Sequence, residues 1–156
     1  MTGNIGLALD ELEPLVRAAY AAAVARDPGR SAEALVAMGD RDRDCILLAT
    51  MINVHALDLV KADRHDMAPA DDSLVAVASR FVTIEAWAEF DESVVLDYLR
   101  SLTDQPGDRH PVAPEVVTRL AFVMGAHLLS AYSQGPWYER LDAVLTTIES
   151  ENASKG

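Results

Sequence analysis

Cysteine is nearly absent from this sequence, which has a single thiol, Cys45, in 156 residues. One cysteine forms neither an internal disulfide nor a cysteine-based zinc site, so the fold must be stabilised by its apolar core. Gly-x-Ser-x-Gly, the P-loop and Gly-x-Gly-x-x-Gly are missing as well. No catalytic residue is identified on this basis, and the missing motifs favour binding over catalysis.

Basic residues are scarce too: 13 Lys and Arg stand against 25 Asp and Glu, giving a net charge of −12. Nucleic-acid binding depends on cations that displace counterions from phosphates, and anionic membranes attract the same cations. The opening MTGNIGLALDELE lacks a basic segment followed by an apolar one, so it predicts no secretory signal. We therefore expect a cytoplasmic protein with neither nucleic-acid nor membrane partners.

Aromatic residues make up only 6% of the chain, whereas half of it is hydrophobic and rich in alanine and leucine. This composition and the apolar repeats at three and four residues predict an all-α single domain over 1–150, with a flexible tail at 151–156. We expect a bundle of six or seven helices. Their expected spans are about 10–26, 31–38, 41–62, 71–88, 92–102, 114–134 and 136–150.

Two segments without any charge stand out, LATMINVHAL at 48–57 and LAFVMGAHLL at 120–129. A helix that is apolar on every side is normally buried, so the helices near 41–62 and 114–134 are predicted to be central and to pack together. Each follows Gly-Asp-Arg, at 39–41 and 107–109, and closes a long–short–long triplet of helices. Two interpretations stay open: a duplicated three-helix unit, or chance in a chain rich in leucine and alanine.

Each charge-free segment carries a histidine, His55 or His127. Two facing imidazoles are able to bind a transition metal or a haem. The residues three positions earlier are Ile52 and Met124, however, where carboxylate-bridged metal bundles have glutamate. We therefore expect no metal and no cofactor. Each histidine is predicted to be a neutral core residue bonded to a carbonyl, a hydroxyl or the Asn53 amide.

Adjacent aromatics, Trp137 and Tyr138, follow Gly135-Pro136 at the start of the last helix. The favoured interpretation is that they fix this helix to the core. The alternative is that they line a ligand pocket or a partner surface, where Trp and Tyr are enriched. With His55 and His127, they are the candidate ligand or partner residues of this sequence.

A pair of glutamates, Glu85 and Glu89, flanks Trp87 in the expected fourth helix. Paired carboxylates hold Mg²⁺ or act in acid–base catalysis. The stretch AMGDRDRDCILL is similar to a Glu-x-x-Asp helix of all-α nucleotide pyrophosphohydrolases, but position 37 is alanine, and the two glutamates are spaced by four rather than three. Like charges on a solvated helix face are the favoured interpretation.

These observations predict a soluble acidic helical protein that acts by binding, as an adaptor or regulatory module. Amphipathic helices in the fourth and seventh positions also predict a homodimer, because dimers bury surplus apolar faces. The alternative functions are a small-molecule or metal binder with a pocket near His55, His127 and Trp137, and a Mg²⁺-dependent nucleotide pyrophosphohydrolase.

Overall fold

The computed structural model describes residues 9–63, 70–102, 114–131 and 135–155. Within these ranges the chain consists of helices joined by short turns and contains no strand, which confirms the all-α class. None of the described helices has the length and apolarity needed to cross a membrane. The α-helices of the described ranges are α1 (Leu9–Val24), α2 (Pro28–Met38), α3 (Asp42–Asp63), α4 (Ala70–Ile84), α5 (Glu92–Leu102), α6 (Pro114–Ala131) and α7 (Trp137–Lys155). Short 3-10 helices lie at Gly39–Arg41 and Ala86–Ala88.

Helices α3 and α6 form the centre of the bundle and pack against each other more extensively than any other pair. α1 packs on α2 and α6, α4 packs on α5, and α7 packs on α3 and α6. Every residue of α6 from Leu120 to Leu129 is buried. The central position predicted for the two helices that carry the charge-free segments is therefore confirmed.

Local sequence sets the start and the end of α2. Asp27 caps its first turn, where the carboxylate Oδ1 accepts a hydrogen bond from the Arg30 amide at 3.1 Å, and Pro28 takes the first helical position. The helix therefore begins before Ser31, the cap expected from the sequence. It ends at Gly39, whose φ of 52° lies in a region that glycine adopts readily.

Two expected boundaries are wrong. The apolar repeat predicted a fourth helix reaching Ala88, but α4 ends at Ile84, and the chain turns through a 3-10 helix to Glu89 at a left-handed φ of 57°. The last helix, expected to end near 150, continues as far as Lys155, and the flexibility expected of the tail at 151–156 stays a prediction. The helix order long–short–long recurs in α1–α3 and α4–α6, and duplication stays a hypothesis.

A buried amide, Asn53 on α3, ties four helices together. Its Oδ1 accepts a hydrogen bond from the Tyr20 hydroxyl of α1 at 3.1 Å. Its Nδ2 donates to the Tyr98 hydroxyl of α5 and to the Ala121 carbonyl of α6, both at 2.8 Å. Burial raises the pKa of Tyr98 to about 12, so the phenol stays protonated. A fully bonded amide avoids the penalty for burying an unpaired polar group.

Glycine at position 125 of α6 leaves room for this junction. A Cβ there would collide with the Tyr20 ring and with Asn53 Oδ1. Interior helix positions ordinarily favour alanine over glycine, so close packing is the reason for glycine at this point.

Gly125→Ala is expected to lower the free energy of unfolding by about 1–3 kcal/mol, because the new methyl group overpacks the junction. Gly29→Ala is the matched control, since its Cβ would meet nothing nearer than 3.5 Å. Urea unfolding monitored by circular dichroism measures both. If Gly125→Ala proved as stable as the parent, α3 and α6 would not approach as described.

Candidate functional site

A buried carboxylate, Glu85, occupies the turn after α4 and is only 4% exposed. Its Oε1 accepts a hydrogen bond from Trp87 Nε1 at 2.8 Å, and its Oε2 lies 3.1 Å from His127 Nδ1. Arg26, which follows α1, places Nε 3.3 Å from Oε1 and Nη2 3.3 Å from Oε2. The carboxylate thus joins the end of α1, the turn after α4 and the middle of α6.

These partners decide the charge of Glu85. Burial raises its pKa, but the hydrogen bonds from His127 and Trp87 and the charge of Arg26 outweigh burial, so the pKa lies below the ordinary value of 4.5. At neutral pH the group is an ionised carboxylate with both oxygens engaged. Such a carboxylate acts as a structural link more readily than as a general base.

The burial of Glu85 was not predicted from the sequence. Glu85 and Glu89 were expected on one solvated helix face, but α4 ends before both; the first is buried and only the second is exposed. The two side chains are not a helical carboxylate pair, so the basis for a Mg²⁺ site there is lost. Within the described ranges, no group of three or more His, Cys, Asp and Glu side chains is arranged to hold a metal ion.

His127 is buried, as predicted, and the Phe81 ring meets it edge-on at a centroid distance of 5.3 Å. Its Nδ1 lies against the Glu85 carboxylate, a partner that was not predicted from the sequence. No short-range pattern reveals this pairing, since 42 residues separate the two.

The prediction for His55 is wrong in one respect. Its side chain is 28% exposed, and Nε2 lies 3.7 Å from the Glu151 carboxylate of α7. His55 and His127 therefore face different acidic partners from two helices that do pack together.

The aromatic pair at the start of α7 divides between core and surface. Trp137 is half-buried and packs against the core, as the favoured interpretation expected. Tyr138 is 49% exposed and meets the Trp137 ring edge-on at 6.0 Å. We call Glu85 with Arg26, Trp87 and His127 the Glu85 cluster. The contacts of the described residues place neither aromatic ring of α7 against it.

One side of α3 carries apolar side chains that are partly exposed. We define the α3 face as Leu47, Met51 and Val54, which recur at the spacing that places residues on one side of a helix. Leu47 is 41% exposed, and the other two are partly exposed at the edge of the core. The opposite side of the same helix carries the core residues Cys45, Leu48, Ala49, Ile52 and Ala56.

The expectation that α3 is buried on every side is therefore wrong. The segment from Cys45 to Leu57 has no charged residue, yet on one of its sides Leu47 is exposed and Met51 and Val54 are only partly buried. Solvent-facing positions of a surface helix normally carry charged or polar side chains. An apolar stripe at such a position is typical of an interaction surface.

No protein-family model, curated protein or solved structure matches the chain. What the chain does has to follow from the contacts and exposures of its own residues. These point to two features, the buried Glu85 cluster and the α3 face.

His127→Leu is expected to cost about 1–3 kcal/mol of unfolding free energy, because it leaves the Glu85 carboxylate buried with one partner fewer. His55→Leu is the matched control and is expected to cost less than about 0.5 kcal/mol, since its contact with Glu151 is partly exposed. Chemical denaturation at neutral pH measures both. Equal losses for the two variants would contradict the account of the cluster.

Glu85→Gln tests the same cluster through pH. Since the folded-state pKa of Glu85 lies below its ordinary value of 4.5, the ionised group stabilises the fold above that pH. The contribution disappears as pH falls through the folded-state pKa. The stability advantage of the parent over the variant should therefore be full near about pH 7 and shrink towards about pH 3. A constant difference across this range would contradict the assignment, and Glu89→Gln provides the exposed control.

Proposed function

We propose that the chain is a cytoplasmic protein-binding module, an adaptor or regulator, that docks an α-helix of a partner protein on the α3 face. The observation that carries the proposal is the partly exposed apolar side of α3 along its charge-free segment, Cys45 to Leu57. Amphipathic helices are commonly recognised by apolar surfaces through side chains at i, i+4 and i+7, the spacing of Leu47, Met51 and Val54.

Rigidity supports this proposal. The inward side of α3 is held by the core and by the Asn53 junction, so the three side chains of the face project from a fixed helix. A surface that is already ordered before binding loses little conformational entropy when a partner arrives. Methionine at the centre adds an adaptable side chain, which suits a docking surface.

The other functions have less support. A small-molecule or metal binder was expected near His55, His127 and Trp137, but the two histidines pair with different acids, Glu151 and Glu85. A pyrophosphohydrolase needs a carboxylate pair free to hold Mg²⁺, and Glu85 is engaged with Arg26 and Trp87.

Self-association stays a separate prediction. The apolar residues of α4 and α7 on which it was based, such as Phe81 and Ile148, are buried within the same chain. A homodimer would therefore need another surface. Light scattering measures whether the chain is a monomer or a dimer.

The probe for the proposal is a helical peptide with three leucines at i, i+4 and i+7 and a lysine at each end. We expect it to bind the parent protein in fluorescence anisotropy. Leu47→Ser should weaken binding about tenfold, because a buried leucine contributes roughly 1.5–3 kcal/mol. The control is Val36→Ser, which changes an apolar residue on α2 that is 81% exposed. Equal effects of the two substitutions would place the binding site elsewhere.

A further inference from the structure

We propose that α2 is a hinged helix, which turns at Arg26 and Gly39 and is held against the bundle because the Glu85 carboxylate anchors Arg26. Loss of this anchor would release α2 while the other helices stay packed. The release does not depend on the proposed function, because it concerns α2 and the Glu85 cluster rather than the α3 face.

Arg26 holds the backbone in an uncommon conformation at the end of α1. Its φ of 54° lies in the left-handed region, where glycine is the usual residue at a helix end. Its amide donates to the Ala23 carbonyl at 3.0 Å, and the Asp27 amide donates to the Ala22 carbonyl at 3.1 Å. This pair of hydrogen bonds is the one that glycine-terminated helices form. Arginine therefore occupies a position at which its side chain makes the backbone less favourable than glycine would be.

The contacts of its guanidinium explain why arginine stands there. Nε lies 3.3 Å from Glu85 Oε1, and Nη2 donates to Glu85 Oε2 at 3.3 Å. The carboxylate is fixed in turn by Trp87 and His127. A charge-assisted contact to both oxygens offsets the backbone cost at Arg26. The left-handed corner between α1 and α2 is thus stabilised by a charge that lies outside both helices.

The other end of α2 turns on a residue with positive φ as well. Gly39 follows Met38 with a φ of 52° and begins the short 3-10 helix that leads to α3. Hinges are commonly a few residues at the ends of elements, where they absorb changes in φ and ψ. Rotation at Arg26 and Gly39 would therefore move α2 as one unit.

Few apolar side chains hold α2 to the bundle. Ala34 and Met38 are its buried residues, and Leu35 is partly buried. Val36, in contrast, is 81% exposed. Elements with few buried apolar contacts open locally at a lower free energy than the core does. Release of α2 therefore breaks fewer contacts than release of a central helix.

A recess of about 200 Å³, part of it open solvent, lies between α2 and the helices α1 and α6. Ala19 and Ala23 of α1 and Phe122 of α6 line it. Ser31 of α2 lines it too, and its hydroxyl oxygen is buried without a hydrogen-bond partner among the described residues. An unpaired buried hydroxyl costs free energy, which contact with water removes when the helix moves away. The packing beneath α2 is thus incomplete.

Release of α2 would uncover apolar surface. Phe122 and Val123 line the recess and are 3% and 2% exposed while α2 is in place. The Glu85 cluster therefore controls whether the surface between α1 and α6 is covered.

Hydrogen–deuterium exchange of the full chain, followed by mass spectrometry, tests this device. In Glu85→Gln, amides of α2 should exchange about tenfold faster than in the parent, the scale of a lost hydrogen bond to a charged group. Amides of α6 should change by a smaller factor. Glu89→Gln is the control, because it removes an exposed carboxylate from the same turn, and it should leave α2 unchanged.

Arg26→Gly tests whether Arg26 is the link between Glu85 and α2. Glycine adopts the left-handed corner but lacks the guanidinium, so α2 should again exchange faster than in the parent. Addition of Glu85→Gln to this variant should then change α2 little, because two residues that act through one contact are not additive. Arg26→Ala loses the guanidinium and keeps the unfavourable backbone, so it should release α2 further than Arg26→Gly.

Three results would overturn the proposal. Equal acceleration of α2 and α6 in Glu85→Gln would show that the carboxylate stabilises the whole bundle rather than α2. Acceleration of α2 by Glu85→Gln to the same extent with and without Arg26 would exclude Arg26 as the link. If Glu85→Gln does not fold, Arg26→Gly decides alone, since it leaves Trp87 and His127 on the carboxylate, and unchanged exchange of its α2 would refute the anchor.

Discussion

The Asn53 amide is the interaction on which the arrangement of the bundle depends. Its Nδ2 donates two hydrogen bonds and its Oδ1 accepts one, with partners on three neighbouring helices. Gly125 leaves the space that this arrangement needs. Because the amide has partners only in this orientation, the rotation of α3 about its own axis is fixed. Leu48 and Ile52 then enter the core, and Leu47 is directed outwards. The candidate docking face is thus a consequence of the core.

The second group of polar contacts, around Glu85, has a different structural role. It attaches the end of α1 and the turn after α4 to α6 through a charged group that burial alone would disfavour. Arg26, Trp87 and His127 together compensate the cost of burying this charge. Loss of any one of them is therefore expected to destabilise the fold, because the Glu85 carboxylate would be less well compensated. This arrangement explains how a charged residue is buried in a largely apolar core, without assigning it a reaction.

Sequence periodicity predicted the helical class and the central pair α3 and α6, because both follow from local hydrophobic pattern. It also predicted that His127 is buried. It failed at Glu85, since carboxylates are usually solvated and the partners that make burial tolerable lie far away in sequence. It failed at His55 and the α3 face for another reason: hydrophobicity does not distinguish a side chain that enters the core from one that stays partly exposed. The helix–turn change after Ile84 was missed because the apolar repeat continues across it.

Methyl-detected NMR tests most directly whether the α3 face, on the side of the helix away from the core, binds a partner helix. Addition of the lysine-ended peptide should shift the methyl signals of Leu47, Met51 and Val54, on the outward side of α3. The signals of Leu48, Ile52 and Leu57, on its buried side, should change far less. Shifts confined to the surroundings of Trp87 or Tyr138, with the α3 methyl groups unaffected, would contradict the central claim.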